Sequence, residues 1–265
     1  MINPPAGRGY QWKMTPCFIG GQVLDKRVIV MRRKETVMIT WAIGLLAAFA
    51  AWTILIQCVD VQPLGQKGTD IGFAGFNVWF HRITGVHMRI YTITDWLGLV
   101  PVFICMGFGV LGFVQLIKRR SLFQVDPDII LLGLYYILVI FGYLFFEMVP
   151  INYRPVLIEG ILEASYPSST TLLVLSVMPT LVFQINRRTG NRIIRNATTV
   201  FAAAFSIFMV MGRLIAGVHW ATDIIGAILL SAGLFMAYLS AVYLTDKRRT
   251  GRFEIRYVDL NKEQI

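Results

Sequence analysis

Charged residues are scarce in this sequence: they make up 15% of its 265 residues, whereas hydrophobic residues make up 56%. A soluble globular domain usually carries about 25% charged residues. This shortage, together with a mean hydropathy of +0.62, excludes an ordinary soluble domain and indicates an integral membrane protein.

Cysteine is also rare, and the familiar cofactor-binding glycine motifs are missing. The three cysteines have neither the spacing of a metal site nor that of a disulfide framework. The sequence contains no P-loop and no dinucleotide-type glycine pattern. We therefore expect no metal and no cofactor.

Acidic residues are few, 15 against 25 basic ones, which gives a net charge of +10. Such an excess is compatible with nucleic-acid binding, but the positions of the charges oppose that interpretation. Twenty basic residues fall in one set of loops and tails, and five fall in the opposite set. The five are Lys67, Arg82, Arg89, Arg154 and Arg213. This asymmetry follows the positive-inside rule, so we expect a membrane protein with no nucleic-acid partner.

Long apolar runs are what the chain has in abundance. Six of them lie near residues 37–59, 96–117, 129–149, 170–186, 198–217 and 221–245. About 20 apolar residues span a bilayer as a helix. Basic segments precede the first run and follow the second, fourth and sixth, which places both termini in the cytoplasm.

The sequence thus predicts an all-α fold, a bundle of six transmembrane helices in the cell membrane. The bundle covers residues 36–245, between a disordered basic cytoplasmic tail at 1–35 and a second basic cytoplasmic tail at 246–265. Small residues in "MGFGVLGF" (106–113) allow close helix approach, either within the bundle or between two copies in a homodimer.

Three segments then lie on the external side: residues 60–95, 150–169 and the short junction near 217–220. The stretch "IGFAGFNVWFHRI" in the first segment is either an interfacial helix with its aromatic rings at headgroup level or a covering loop.

The stretch "MGRLIAGVHWATD" carries three ionisable residues in an otherwise apolar region, Arg213, His219 and Asp223. A break at Gly217 would end one helix after Arg213 and start the next near His219. His219 and Asp223 would then be an i,i+4 pair able to form a hydrogen bond, an arrangement that suits a nucleophile or a base. One alternative is an ion pair that fills a helix junction. A small transporter is another, and it predicts these residues at mid-membrane depth.

Two further segments offer contacts for an anion at the external helix ends. "NYRPVLIEG" provides Arg154, and arginine grips phosphate oxygens in a fork. "EASYPSSTTLL" places Ser168, Ser169 and Thr170 at a helix start, where free backbone amides favour an anion. Taken singly, these are compatible with a surface charge and a plain N-cap. Together they predict one phosphate site at the external ends of helices 3 to 6.

The order RP, then PS-x-x, then R-x5-H-x3-D resembles the type 2 phosphatidic acid phosphatase superfamily of membrane lipid phosphatases, over roughly residues 37–245. The resemblance implies a six-helix bundle with an external, metal-independent site that acts on a phosphorylated lipid. It also implies that His219 attacks phosphorus to form a phosphohistidine. The implied catalytic residues are His219, Asp223, Arg213 and Arg154. The implied substrate contacts are Ser168, Ser169, Thr170 and Tyr153.

The sequence departs from the family pattern at three positions. Glu147 stands in the slot of a lysine, Gly212 in that of a serine, and Thr170 in that of the histidine that protonates the leaving group. Such an acid contributes about 10²- to 10⁴-fold, but a phosphate monoester, with a second pKa near 6, departs with little help. We therefore expect reduced activity and a preference for polyprenyl diphosphates over lipid monophosphates.

The missing acid leaves two questions open. His81 and His87 in the long external segment either replace the acid or bind headgroups at the interface. The alternative function is a catalytically weakened relative that binds or carries a phosphorylated lipid.

Overall fold

The computed structural model describes the backbone of residues 17–19, 22–24 and 26–262 and the side chains of residues 36–248. Two short antiparallel strands come first, β1 (Cys17–Ile19) and β2 (Gln22–Leu24). The α-helices of the described chain are α1 (Lys26–Cys58), α2 (Ala74–Thr84), α3 (Met88–Leu97), α4 (Leu99–Arg119), α5 (Pro127–Met148), α6 (Ser169–Arg188), α7 (Arg192–Ile215) and α8 (Ala221–Lys262). Single 3-10 turns lie at Gln66–Gly68 and Leu122–Gln124.

Six helical stretches in the described chain are long and apolar enough to cross a membrane. They are Thr36–Cys58, Met88–Arg119, Pro127–Met148, Ser169–Arg188, Arg192–Ile215 and Ala221–Arg248. These stretches confirm the predicted all-helical, six-span membrane bundle. The predicted tails at 1–35 and 246–265 lie largely outside the residues whose side chains are described, so their character stays a prediction.

The second span begins eight residues earlier than its apolar run indicates. Residues 88–95 were assigned to the external segment, but they form most of α3, which continues into α4 across Gly98. The sequence boundary was misplaced because Arg89, Thr92 and Asp95 lower the local hydropathy. The helix tolerates Thr92 and Thr94 because each hydroxyl donates to the carbonyl four residues earlier.

Helices α6 and α8 form the centre of the bundle, and half of each apolar window is buried. Helix α6 contacts α4, α5, α7 and α8, while α1 packs along α8. An apolar core lies where α5, α6 and α8 meet, and its members include Leu132, Tyr135, Leu172, Ala227 and Val242. This packing holds the starts of α6 and α8 side by side.

Helix α2 is the short helix predicted as one alternative for "IGFAGFNVWFHRI". Its outer face exposes Phe76, Trp79 and Ile83. On the opposite face, Asn77 is buried and donates from Nδ2 to the Gly72 carbonyl and the Thr222 hydroxyl. The helix is therefore anchored to the start of α8, and its immersion in the headgroup layer stays a prediction.

Candidate active site

A tight turn at residues 216–220 joins α7 to α8 and carries the central histidine. Gly217 adopts φ +68°, and a Cβ there would lie 2.0 Å from the Gly85 carbonyl oxygen. Only glycine fits this close approach without strain. The turn brings the last helical turn of α7 next to the first turn of α8, so that Arg213 Nη2 lies 3.2 Å from His219 Nε2.

The hydrogen bonds of His219 define its tautomer. Its Nδ1 lies 3.1 Å from the Ser165 carbonyl oxygen, which can only accept, so Nδ1 carries the proton. Its Nε2 faces Arg213, which can only donate, so Nε2 presents a lone pair. Burial, and then the charges of Arg213 and Arg154, lower the pKa of His219 well below its ordinary value. At neutral pH the imidazole is therefore neutral, with its free nitrogen turned toward a guanidinium.

Asp223 lies behind the histidine but does not form the predicted hydrogen bond with it. Its Oδ2 is 3.9 Å from His219 Nδ1 and instead accepts the Trp220 amide at 2.9 Å. Its Oδ1 accepts from Asn152 Nδ2 at 3.2 Å. The i,i+4 argument fails because His219 precedes the first residue of α8, whereas helical stacking requires both residues to be in the helix. Asp223 thus acts on His219 as a nearby charge and as a brace for the turn.

Two buried arginines provide the positive charge of the site. Arg154 is 8% exposed and Arg213 only 1%. In each, Nε and Nη1 are buried without a well-aligned hydrogen-bond acceptor. The ring of Tyr91 on α3 faces both guanidinium groups, with Cζ at 5.9 Å for Arg154 and 4.9 Å for Arg213. Arg154 Nε and Arg213 Nη1 each face a carboxylate, so Arg154 Nη1 and Arg213 Nε are the donor atoms left without a partner. Two buried cations with such donors suit an anion with several oxygens.

The carboxylates that contact these arginines lie at the edge of the site. Glu163 Oε2 is 3.1 Å from Arg154 Nε, and Asp95 Oδ1 is 3.6 Å from Arg213 Nη1. The Asp95 side chain is 58% exposed, and that of Glu163 is 35% exposed. Since both carboxylates are open to solvent, which screens them, they compensate the charges of the buried arginines only in part.

The start of α6 lies against the same turn. Ser168 precedes the helix, is fully buried, and donates its amide to the Asp223 carbonyl at 3.3 Å. Its hydroxyl donates to the Thr171 hydroxyl, so it does not cap the helix. Ser169 and Thr170 follow in the first turn, where backbone amides have no intrahelical acceptor. The helix start therefore adds a positive dipole end next to His219.

The remaining candidate residues surround the site without contacting His219. Tyr153 accepts the Trp220 indole N–H at its carbonyl, at 2.8 Å. The His81 ring lies 5.5 Å from that of Trp220, and its Nε2 is 3.0 Å from the Gly217 carbonyl. His87 is exposed, and its Nε2 is 2.9 Å from the Thr84 carbonyl. Both histidines thus pair with backbone carbonyls of loops.

Four residues of the site escaped the sequence analysis: Tyr91, Asp95, Asn152 and Ser165. Tyr91 and Asp95 fall in the segment that the sequence predicts to be external, although Ile90, Thr94 and Leu97 follow the helical period. Ser165 acts through its main chain, which leaves no signal in the side-chain pattern. Arg213 lies in the last turn of α7, His219 in the turn that follows, and Arg154 in the loop after α5, not midway along the helices as the transporter alternative predicts.

Comparisons with known proteins agree with the resemblance seen in the motifs. Residues 150–249, which contain all three motifs, match the family model described as PAP2 superfamily. Among solved structures, the fold matches a transmembrane PAP2 type phosphatidylglycerolphosphate phosphatase from Bacillus subtilis. The TM-score is 0.55 at 14% identity, over 74% of this chain and 93% of the other. A comparison with curated proteins found no significant match. The predicted family resemblance is thus confirmed, and the structural match extends it to the fold of the bundle.

Proposed function

We propose that this membrane phosphatase-like protein hydrolyses a polyprenyl diphosphate, such as undecaprenyl diphosphate, at the outer leaflet through a phosphohistidine on His219. One observation carries the proposal: the unprotonated Nε2 of a neutral imidazole faces the buried guanidinium of Arg213, whose Nε has no hydrogen-bond partner. A nucleophile and an anion site therefore meet at one point. The match to the PAP2 superfamily supports a phosphatase of this class.

The first step is transfer of the terminal phosphoryl group to the enzyme. Arg154, Arg213 and the first amides of α6 hold the phosphoryl oxygens while His219 Nε2 attacks phosphorus. The bridging P–O bond breaks, and the lipid monophosphate leaves. The proton stays on Nδ1, hydrogen-bonded to the Ser165 carbonyl, and Asp223 at 3.9 Å stabilises the positive charge that develops on the ring.

The leaving group explains why a diphosphate suits this site. Thr170 stands at the start of α6 and cannot donate a proton as an imidazolium does. A lipid alkoxide needs that proton, whereas a phosphate monoester with a second pKa near 6 leaves without it. The site is therefore better matched to lipid diphosphates than to phosphatidic acid.

The distribution of charge supports an external position for the site. The loops at the site end of the bundle, residues 59–87, 149–168 and 216–220, contain three of the 25 basic residues, Lys67, Arg82 and Arg154. Arginine and lysine accumulate on the cytoplasmic side of membrane proteins. The site end is accordingly the external end, which faces the outer leaflet.

Phosphate release by purified protein tests the proposal. We expect release from undecaprenyl diphosphate to exceed release from phosphatidic acid, and His219→Ala to abolish both. Substrate labelled in its terminal phosphate should leave acid-labile label on His219. His87→Ala is a matched control because that ring is exposed and bonded to a loop carbonyl. Tight lipid binding with neither release nor label would overturn the proposal and favour a lipid-binding relative. Equal rates on both lipids would refute the leaving-group argument.

A further inference from the structure

Asp95 on α3 is the acidic side chain nearest to the buried Arg213. Its Oδ1 lies 3.6 Å from Arg213 Nη1, while Nη2 of the same guanidinium lies 3.2 Å from His219 Nε2. One planar group thus separates the carboxylate from the nucleophilic nitrogen. The Asp95 side chain is 58% exposed, so it also contacts water. A carboxylate this close to the nucleophile and open to water is a candidate base for the water that attacks a phosphorylated His219.

Asp223 is the acid closest to the imidazole, but it lies on the wrong side. It is fully buried on the Nδ1 side, and both its oxygens accept hydrogen bonds, from the Trp220 amide and from Asn152. A phosphoryl group on Nε2 would be directed away from it. Asp223 is therefore an electrostatic partner of the ring and cannot reach the water that attacks phosphorus.

Glu163 is the other acid paired with a site arginine. Its Oε2 lies 3.1 Å from Nε of Arg154, and the backbone of the two residues is also hydrogen-bonded, at 3.0 Å. This double attachment ties Glu163 to the loop that holds Arg154. Arg154 itself has no hydrogen bond to His219 among the described contacts, whereas Arg213 does.

The turn that carries Asp95 also packs against the start of α6. Gly98 donates its amide to the Asp95 carbonyl at 3.0 Å. A Cβ at Gly98 would lie 3.6 Å from the Thr170 methyl group. The turn that carries Asp95 thus packs on the α6 start, where phosphoryl oxygens bind under the proposed function, while the Asp95 side chain contacts Arg213.

We propose that Asp95 is the general base that activates water for hydrolysis of the phosphohistidine. This inference rests on the proposed function. The water oxygen bonds to phosphorus, the P–Nε2 bond breaks, and the water proton passes to the Asp95 carboxylate and then to solvent. The products are inorganic phosphate and neutral His219. The carboxylate is the form of this side chain that accepts a proton.

The two half-reactions place different demands on the site. Departure of a lipid monophosphate needs no proton, so the first step proceeds without an acid at Thr170. In the second step the attacking water must lose a proton, and neither Thr170 nor the arginines can accept one. A base is thus needed in the second step alone, and Asp95 fits that need.

Rapid-quench kinetics with farnesyl diphosphate labelled in its terminal phosphate separates the two steps. We expect the near-isosteric Asp95→Asn variant to form phosphohistidine at close to the wild-type rate and to lose it about 10²- to 10⁴-fold more slowly. Label should then accumulate on His219. Asp95→Glu should recover part of the breakdown rate, and Glu163→Gln should alter formation and KM but not breakdown. The breakdown rate of wild type should decline at acidic pH, and that decline should vanish in Asp95→Asn.

A purely structural role for Asp95 gives a different result. If Asp95 only positions Arg213, Asp95→Asn slows phosphohistidine formation, raises KM and prevents accumulation of label, and the inference is overturned. Wild-type breakdown kinetics in Asp95→Asn overturn it as well, while the proposed function survives. If wild type forms no phosphohistidine at all, both the proposed function and this inference fail.

Discussion

Replacing Thr170 with histidine should restore the proton donor that the site lacks. Thr170 is the second residue of α6 and is half-buried, so a larger side chain can extend into the opening of the site. Its methyl group lies close to Gly98, which has no side chain to obstruct an imidazole. The Thr170→His ring would thus stand beside the bound phosphoryl group, at the position from which a leaving oxygen departs.

The expected gain depends on the leaving group. General acid catalysis contributes about 10²- to 10⁴-fold, or about 2.7–5.4 kcal/mol of transition-state stabilisation at 1.36 kcal/mol per tenfold. The new ring has no partner selected to orient it, so we expect the lower end, about 10²-fold, with phosphatidic acid. A lipid diphosphate already has a good leaving group, and its gain should stay below about tenfold.

Phosphate release from both lipids, expressed as kcat/KM, measures this difference. Ser169→His is the matched control, because Ser169 is similarly exposed in the same first turn but points about 100° away around the helix. The gain should disappear when His219→Ala is combined with Thr170→His. The reasoning is refuted if a folded Thr170→His protein gains nothing with phosphatidic acid, or if Ser169→His gains as much.

Three further predictions concern the histidines and the turn. Because burial and nearby positive charges lower the pKa of His219 well below its ordinary value, the unfolded chain binds an extra proton below about pH 6.5. The unfolding free energy should therefore fall by about 1.4 kcal/mol more between pH 7.5 and 5.5 in wild type than in His219→Gln, measured by thermal melting in detergent. His81→Ala removes a ring of α2 that packs against the active-site turn and should lower phosphate release severalfold, whereas His87→Ala should be silent in the same assay. Gly217→Ala places a methyl group 2.0 Å from the Gly85 carbonyl, so it should lower the melting temperature and activity together, and unchanged values would contradict the turn geometry.

The helical bundle could be predicted from the sequence because lipid imposes a simple constraint. A span needs about 20 apolar residues, and the six runs satisfy it with ends within a few residues of the helices, apart from the starts of the fifth, at Arg192, and above all the second. The second span shows where the requirement for apolar residues weakens. Residues 88–95 are helical but contain Arg89, Thr92 and Asp95, since this turn meets the site and not the lipid interior.

The site could be predicted only as far as side chains reveal it. Arg154, Arg213 and His219 are conspicuous because ionisable groups are rare in apolar surroundings. The hydrogen bond that sets the histidine tautomer comes from a main-chain carbonyl, that of Ser165, 54 positions away in sequence. A main-chain contact leaves no trace in residue type. The sequence therefore predicts a hydrogen bond from His219 to Asp223, the acid four positions later.

The hydrogen bonding of Arg154, Arg213 and Asp223 favours an anion-binding site over an ion pair that merely fills the helix junction. A buried ion pair kept for stability needs its donors satisfied, because an unpaired buried charge is strongly destabilising. Here Arg154 Nη1 and Arg213 Nε are buried without a partner, and Asp223 accepts from Trp220 and Asn152 instead of from either arginine. The two arginines therefore keep hydrogen-bonding capacity that the neighbouring acids do not use. A dianionic phosphoryl group would supply the missing acceptors.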